Sequence, residues 1–310
     1  MNFITDIESI NNLRILSSDM IENAKSGHPG MPLGCASIIY VLFKEHLNFN
    51  PDETEWLSRD RFVLSNGHGC ALLYSILHLF KYDISLEDLK SFRKLGSITP
   101  GHPEKGVTSG IEVTTGPLGQ GISNGVGMAL ASKHLASRFN TEDVKIIDNS
   151  IYVMCGDGCL MEGISNEAVS LAGHLNLNNL IVLYDDNSIT IDGSTDLAFT
   201  EDTKKKYESL GWQVIKVKNA DVDILEINNS IIKAKNSDKT TLICMETKIG
   251  FGSDKEGSEK SHGAPLGTDS IKELKKKFEF DENLTFQIKD NVKNNFQEIL
   301  NKKLKKYNNW

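Results

Sequence analysis

The stretch SIYVMCGDGCLMEG, residues 150–163, decides how the chain is expected to fold. SIYVMC is a short apolar run without polar alternation, which is typical of a strand that is covered on both faces. Asp157 then stands between two glycines, at the point where this strand is predicted to end. Burying a carboxylate there is costly unless something positive meets it. The stretch therefore indicates a strand that ends in a polar site, with a plain turn as the alternative.

The same kind of run recurs along the chain. The other predicted strands are RFVLS (61–65), NLIVLYD (179–185), WQVIKV (212–217) and TTLICMET (240–247). Longer helical patterns alternate with them, at 5–24, 35–47, 69–80, 119–139, 161–174, 221–236 and 288–306. This alternation predicts an α/β doubly wound fold, with a mainly parallel sheet and helices on both faces.

The predicted domain spans residues 1–270, and residues 271–310 are expected to be a helical extension of it. That last segment is rich in Lys and Asn. Such composition is typical of a solvated helix face, and a docking or tethering segment is the alternative.

Composition narrows the class of protein. The chain has 310 residues and a net charge of −8, which argues against a general nucleic-acid binder. No apolar run approaches the roughly 20 residues of a membrane helix, and the acidic N-terminus does not resemble a signal peptide. The five scattered cysteines suggest a reduced, cytoplasmic protein. Cys155 and Cys159 could form half a metal site, but buried structural thiols are the expectation.

Polar residues follow two of the predicted strands. Asp157 comes after the strand at 150–155, and Asn187 comes after the strand at 179–185. Open α/β sheets bind ligands at the carboxyl ends of their strands, so these side chains are expected to share one crevice. Carboxylate, amide and carbonyl oxygens suit Mg²⁺ or Ca²⁺. Gly158 leaves room for a diphosphate, and a helix predicted to start near residue 160 would favour an anion.

Histidines form the second group of candidate site residues. Four of the eight lie in loops flanked by Gly or Pro, namely His28, His68, His102 and His262. Neutral imidazoles can hydrogen-bond sugar hydroxyls, carbonyls and phosphates. A zinc site is the rival interpretation, although the separations offer no usual ligand pairing. A third feature, TTGPLGQGISNGVGMALA (114–131), reads as a loop that leads into a small-residue helix, which could pack across a subunit interface.

Seven segments together resemble the transketolase family of thiamine-diphosphate enzymes. They are SGHPGMPLG, LSNGHG, TPGHPE, TTGPLGQG, GDGCLMEGISNEAVSLAGHL, YDDNSITIDG and SHGAPLG, in the order of the family. GDG followed by Asn187, 30 positions after Asp157 (187 − 157), is similar to the general thiamine-diphosphate signature. The resemblance covers nearly the whole chain, and it implies the diphosphate-binding domain of the thiamine-diphosphate fold.

The resemblance also implies roles for individual residues. The metal, Mg²⁺ with Ca²⁺ or Mn²⁺ as substitutes, would be held by the side-chain oxygens of Asp157 and Asn187 and by the backbone carbonyl of Ile189. The cofactor, thiamine diphosphate, would lie against Gly116, Pro117, Leu118, Gly158, Asn187, His68 and His262. The sugar substrate and catalysis would involve His28, His102 and His262. Glu162 would pair with another acid across a dimer interface, and it counts with the catalytic residues.

The implied activity is that of the pentose phosphate pathway enzyme, which moves a two-carbon ketol unit from a ketose phosphate to an aldose phosphate. The chain resembles only the N-terminal half of the family, without the pyrimidine-binding domain and its activating glutamate. The expected partners are therefore a C-terminal transketolase subunit and a second copy of the chain, in a heterotetramer, with no nucleic acid and no membrane. The chain could also be a fragment of a longer protein. Half of a dihydroxyacetone synthase or of a deoxyxylulose-phosphate synthase stays open as an interpretation, and so does a non-catalytic cofactor-binding protein.

Overall fold

A five-stranded parallel sheet forms the centre of the protein, whose computed structural model describes residues 3–310. The strands in chain order are β1 (Arg61–Leu64), β2 (Ile151–Gly156), β3 (Leu180–Asp186), β4 (Ile189–Thr190), β5 (Gly193–Ser194), β6 (Gln213–Val217) and β7 (Thr241–Glu246). The main sheet has the order β1-β2-β3-β7-β6, and β4 pairs with β5 in a small antiparallel ribbon. All five predicted strands are confirmed, and so is the α/β class.

Helices cover both faces of this sheet, as predicted. In chain order they are α1 (Phe3–Ala24), α2 (Gly30–Val41), α3 (Cys70–Leu79), α4 (Leu86–Lys90), α5 (Gln120–Phe139), α6 (Asp157–Met161), α7 (Gly163–His174), α8 (Thr203–Ser209), α9 (Ile224–Lys235), α10 (Thr268–Lys277) and α11 (Asp290–Asn309). A π-helical turn, Leu42–His46, extends α2. Met1 and Asn2, with which the acidic N-terminal stretch begins, lie outside the described residues.

The central strands are mainly apolar up to their carboxyl ends because each face of the sheet has its own core. Tyr152 and Met154 of β2 point into a core shared with α1, α2, α3, α9 and α11. Val153 and Cys155 point to the opposite side, where α5 and α7 pack. Gly125 permits this second packing, since a Cβ there would come within 2.3 Å of Val153 Cγ2. Because both faces of the sheet are buried in this way, a ligand can reach the sheet only at the ends of its strands.

The chain after β2 differs from the prediction. The helix expected to start near residue 160 starts at Asp157 itself, directly after the extended Gly156. An acidic first residue is favoured there by the partial positive charge of a helix N-terminus. This short helix ends at Met161, the backbone of Glu162 is extended, and α7 begins at Gly163. The predicted helix over 161–174 is confirmed as α7, which begins at Gly163, but the short α6 before it was not predicted, because the break at Glu162 does not interrupt the apolar pattern.

The C-terminal segment packs on α1. Helix α11 buries one apolar face against the first core, through Val292, Phe296, Ile299 and Leu300. The lysines of α11 are exposed or half-buried, whereas Lys275 of α10 is buried with its Nζ 2.7 Å from Asp19 Oδ1. Helix α10 begins at Thr268, so the division at residue 270 crosses it and stays a prediction.

Two sequence expectations concern cysteines and membranes. All five cysteines are buried and free, in agreement with structural thiols. Among residues 3–310, no helix has both the length and the apolar character that crossing a membrane requires.

Candidate functional site

Three acidic side chains gather at the carboxyl edge of the sheet, and we call them the acidic strand ends: Asp157, Asp185 and Asp186. Parallel pairing brings them together, because Gly156 at the end of β2 lies opposite Asp185 of β3. Asp157 then follows as the first residue of α6. This register places Asp157 and Asn187 at the ends of neighbouring strands, as the sequence predicts.

Asp157 is buried and only partly satisfied. The Tyr184 hydroxyl donates a hydrogen bond to its Oδ1, and Oδ2 has no partner within residues 3–310. Burial raises the pKa of Asp157 to about 7, with the nearby Asp185 and Asp186 acting in the same direction. A buried carboxylate with a free oxygen is costly, and a bound cation would offset that cost.

The Asn187 amide is held in one orientation. Its Nδ2 donates to Asp185 Oδ2 at 2.9 Å, while its Oδ1 accepts from the Ile189 backbone N–H at 3.0 Å. Asp185 is fixed in turn, since the Thr247 hydroxyl donates to its Oδ1. These two hydrogen bonds fix which end of the Asn187 amide carries the oxygen. That oxygen, Oδ1, still has a second lone pair. This amide oxygen and the unpartnered carboxylate oxygen of Asp157 are both hard donors, of the kind that Mg²⁺ or Ca²⁺ prefers.

The rival metal sites gain no support. Across residues 3–310, no group of three or more His, Cys, Asp or Glu side chains is arranged to hold a metal ion. That finding covers both the zinc interpretation of the loop histidines and the half-site at Cys155 and Cys159. That finding does not apply to the predicted set of Asp157, Asn187 and Ile189, because only Asp157 is one of those four residue types.

The first turn of α6 and the glycine loop before α5 meet beside the acidic strand ends. A Cβ on Gly158 would come within 2.8 Å of Leu118 Cδ1, so the absence of a side chain there lets the helix and the loop touch. Gly116 has a φ of +151°, in the region that favours glycine, and it lies against the His102 ring. Pro117 is exposed between them. The loop predicted to border the cofactor ring thus contacts the turn predicted to border its diphosphate.

The four loop histidines form one cluster, and we call His28, His68, His102 and His262 the histidine cluster. The ring centroids of His68 and His262 lie 5.0 Å apart, and His28 lies 5.1 Å from His68, 5.9 Å from His262 and 6.4 Å from His102. Burial lowers the pKa of all four, that of His28 to about 4. The cluster is therefore neutral at pH 7 and can both donate and accept hydrogen bonds.

Several residues of this region were missed by sequence reasoning: Asn66, Tyr184, Asp185, Thr247 and Arg93. Asn66 is the second residue after β1, is buried, and has an unpartnered Oδ1 within the described chain. The rule that singled out Asp157 and Asn187 would also have found Asn66 and Asp185, since both stand at strand ends. Arg93 carried no signal, because its contacts depend on how distant loops meet.

Glu162 packs against the glycine loop, since a Cβ on Gly119 would come within 2.7 Å of Glu162 Cβ. It is exposed at the break between α6 and α7, and its carboxylate forms no ion pair within residues 3–310. Ile164 and Leu171 on the following helix are also exposed, at 44% and 46%. The predicted role of Glu162 at an interface between two copies stays a prediction.

The fold and the site together define a class. A doubly wound parallel sheet with hard oxygen donors at its strand ends, a glycine loop beside them and neutral imidazoles nearby has the features of a ligand-binding α/β domain. Oxygen donors with a free carboxylate suit an anionic ligand that is bound through a divalent cation.

Comparison with known proteins identifies the family. The family model described as "Transketolase, thiamine diphosphate binding domain" matches residues 5–310. The chain therefore belongs to the transketolase family and corresponds to its N-terminal, thiamine-diphosphate-binding portion. The resemblance inferred from the seven sequence segments is confirmed.

Individual relatives agree with this assignment. Transketolase from Kluyveromyces lactis is 53% identical over 294 residues, which cover 94% of this chain and 43% of the relative. Transketolase 1 from Saccharomyces cerevisiae is 52% identical over 100% of this chain and 46% of the relative. A Pichia stipitis transketolase crystal structure, in complex with sedoheptulose 7-phosphate, superimposes with a TM-score of 0.97 at 51% identity, covering 99% of this chain and 45% of that one. The chain spans less than half the length of these relatives.

Proposed function

We propose that this chain provides the thiamine-diphosphate-binding half of a transketolase. With a pyrimidine-binding half, it would transfer a two-carbon ketol unit from a ketose phosphate to an aldose phosphate. The observation that carries the proposal is the unpartnered Oδ2 of the buried Asp157, which follows β2, together with the oriented amide of Asn187, which follows the neighbouring strand β3. A divalent cation would satisfy both oxygens and bring a diphosphate to the same edge.

The cofactor would be held by residues from five segments of the chain. Asp157 and Asn187 would bind Mg²⁺ through side-chain oxygens, and Ile189 through its backbone carbonyl. The remaining cofactor contacts would be Gly116, Pro117, Leu118, Gly158, His68 and His262. When bound, thiamine diphosphate supplies carbanion stabilisation, and the protein supplies orientation and electrostatics.

The histidine cluster would serve the sugar. His28, His102 and His262 are neutral at pH 7, so they can hydrogen-bond hydroxyls and hold a carbonyl oxygen as charge develops on it. The sugar phosphate in the Pichia stipitis structure supports this substrate class. Proton transfers at the sugar oxygens would pass through these rings, which exchange protons more readily than any hydroxyl nearby.

We further propose that the working assembly contains two copies of this chain and two pyrimidine-binding halves. Glu162 and the exposed apolar residues of α7 would contribute to the contact between copies. A cytoplasmic location is supported by five free cysteines, which are expected in a reducing compartment.

A reconstitution assay tests the proposal. The chain, alone and then mixed with a pyrimidine-binding half, is assayed with a ketose phosphate, an aldose phosphate, thiamine diphosphate and Mg²⁺. We expect no turnover from the chain alone and turnover after mixing. Full activity of the chain alone would contradict the two-part assembly, and failure of every pyrimidine-binding half to restore turnover would favour a non-catalytic protein. Formaldehyde and pyruvate as alternative substrates separate transketolase from the two related synthases.

A further inference from the structure

Arg93 joins two loops of the histidine cluster, although no motif singled it out. Its Nη1 donates to Ser26 Oγ at 2.8 Å, and its Nη2 contacts His28 Nδ1 at 3.3 Å and the Gly101 carbonyl at 3.4 Å. Ser26 precedes His28 in one loop, and Gly101 precedes His102 in the other. One guanidinium therefore spans both loops.

The backbone and the neighbours of Arg93 hold its side chain in this position. Its backbone has a φ of +61°, and its N–H donates to the Thr99 carbonyl at 3.0 Å, which closes the loop between them. A Cβ on Gly101 would lie 3.0 Å from Arg93 Nε, so glycine at 101 makes room for the guanidinium. The side chain is thus packed where it touches His28.

The contact with His28 assigns a tautomer. A guanidinium carries only N–H donors and does not lose its proton in proteins, so His28 Nδ1 must accept. A neutral imidazole has a single ring proton, which must then be on Nε2. That nitrogen faces the loop after His262, since it lies 3.6 Å from the position of a Cβ on Gly263. Burial and the charge of Arg93 lower the pKa of His28, which keeps the ring neutral.

We propose that Arg93 is a positioning residue that holds His28 as the Nε2–H tautomer, so that His28 presents a hydrogen-bond donor towards the inside of the histidine cluster. The sugar oxygen as its acceptor rests on the proposed function; the tautomer does not. Without Arg93 the ring would populate both tautomers, and in one of them it would offer a lone pair where the sugar requires a donor.

Nitrogen NMR of the full polypeptide labelled with ¹⁵N-histidine tests the tautomer. The His28 signals are assigned by their loss in His28→Gln. At pH 7 we expect a protonated Nε2 and an unprotonated Nδ1 in the parent. Arg93→Met, which keeps an unbranched stem but no donor, should give averaged signals from both tautomers. Lys94→Met is the matched control, because it removes the same charge from the next residue, and it should match the parent.

The parent spectrum alone can overturn the proposal, even if Arg93→Met fails to fold, since a protonated Nδ1 on His28 would contradict it. Unchanged His28 signals in a folded Arg93→Met would overturn it as well. Arg93→Lys retains a donor and should recover the Nε2–H form.

Kinetics of the reconstituted enzyme provide the functional arm. Arg93→Met should lower kcat/KM by about tenfold, as expected for one misdirected hydrogen bond, with unchanged affinity for thiamine diphosphate. A chain that binds no thiamine diphosphate would contradict the proposed function and leave the tautomer assignment intact. Unchanged kcat/KM together with the expected spectra would instead overturn the part of the inference that concerns the sugar.

Discussion

Burial shifts the pKa values of the acidic strand ends and of the histidine cluster in opposite directions. Burial raises the pKa of Asp157 to about 7 and lowers that of His28 to about 4, so both regions are driven towards their neutral forms. A neutral imidazole is a complete donor and acceptor. A buried carboxylate with one unpartnered oxygen lacks a donor or a cation for that oxygen. This difference is the basis for proposing that one region binds a metal ion and that the other contacts an uncharged sugar carbonyl.

The largest expected effect comes from Asp157→Ala. We expect thiamine diphosphate affinity in the presence of Mg²⁺ to fall beyond the roughly 100-fold typical of changes around a metal ligand, because a ligand itself is lost. Stability should change little or rise, since an uncompensated buried carboxylate is removed. Calorimetric titration gives the affinity, and thermal unfolding without ligands gives the stability.

The control for this change is Asp148→Ala, which removes an exposed acid just before the start of the same strand β2. It should bind the cofactor like the parent. Normal binding of thiamine diphosphate and Mg²⁺ by Asp157→Ala would show that the metal assignment is wrong.

The second effect separates the two regions. His102→Ala should lower kcat/KM of the reconstituted enzyme by about 100-fold, the scale of one proton-transfer group, and leave cofactor affinity unchanged. His174→Ala, which changes an exposed histidine at the end of α7, is the matched control. A loss of cofactor affinity as large as that of Asp157→Ala would erase the distinction between the regions.

A smaller effect concerns the support of Asp157. Tyr184→Phe removes the hydroxyl that donates to Asp157 Oδ1 and should weaken Mg²⁺ binding by about tenfold. Tyr207→Phe changes another buried tyrosine of the same core and should have no effect on Mg²⁺. Equal Mg²⁺ affinities for Tyr184→Phe and the parent would mean that Asp157 needs no help to bind the cation.

The smallest effect is the pH dependence of stability. His28 is protonated near pH 6.5 in the unfolded chain and only near pH 4 in the folded chain. The contribution of His28 to the free energy of unfolding is therefore complete above pH 6.5 and declines as the pH falls to 4. Asp157 contributes with the opposite sign, because the folded state takes up its proton first. Urea unfolding at pH 7 and pH 5 should therefore show a smaller decline in His28→Gln than in the parent. Exposed His134→Gln should decline like the parent, and equal declines in all three proteins would contradict the account.

Local sequence predicted the fold and part of the site. The strands were predictable because both faces of each are buried, and Asp157 and Asn187 because a ligand site in such a sheet lies at strand ends. The break at Glu162 was not, since the apolar pattern continues through it. Arg93 and His28 are 65 residues apart, so their contact is decided by loop closure and leaves no local pattern. The hydrogen bond from Tyr184 to Asp157 depends on the register of β2 and β3, which a single sequence does not specify.

The central claim is that a divalent cation completes the acidic strand ends and thereby binds the diphosphate. The most direct test is calorimetric titration of thiamine diphosphate into the chain, once with Mg²⁺ and once with EDTA. We expect tight binding with Mg²⁺, little or none with EDTA, and recovery on adding Ca²⁺ or Mn²⁺. Equal affinity with and without the cation would contradict the claim.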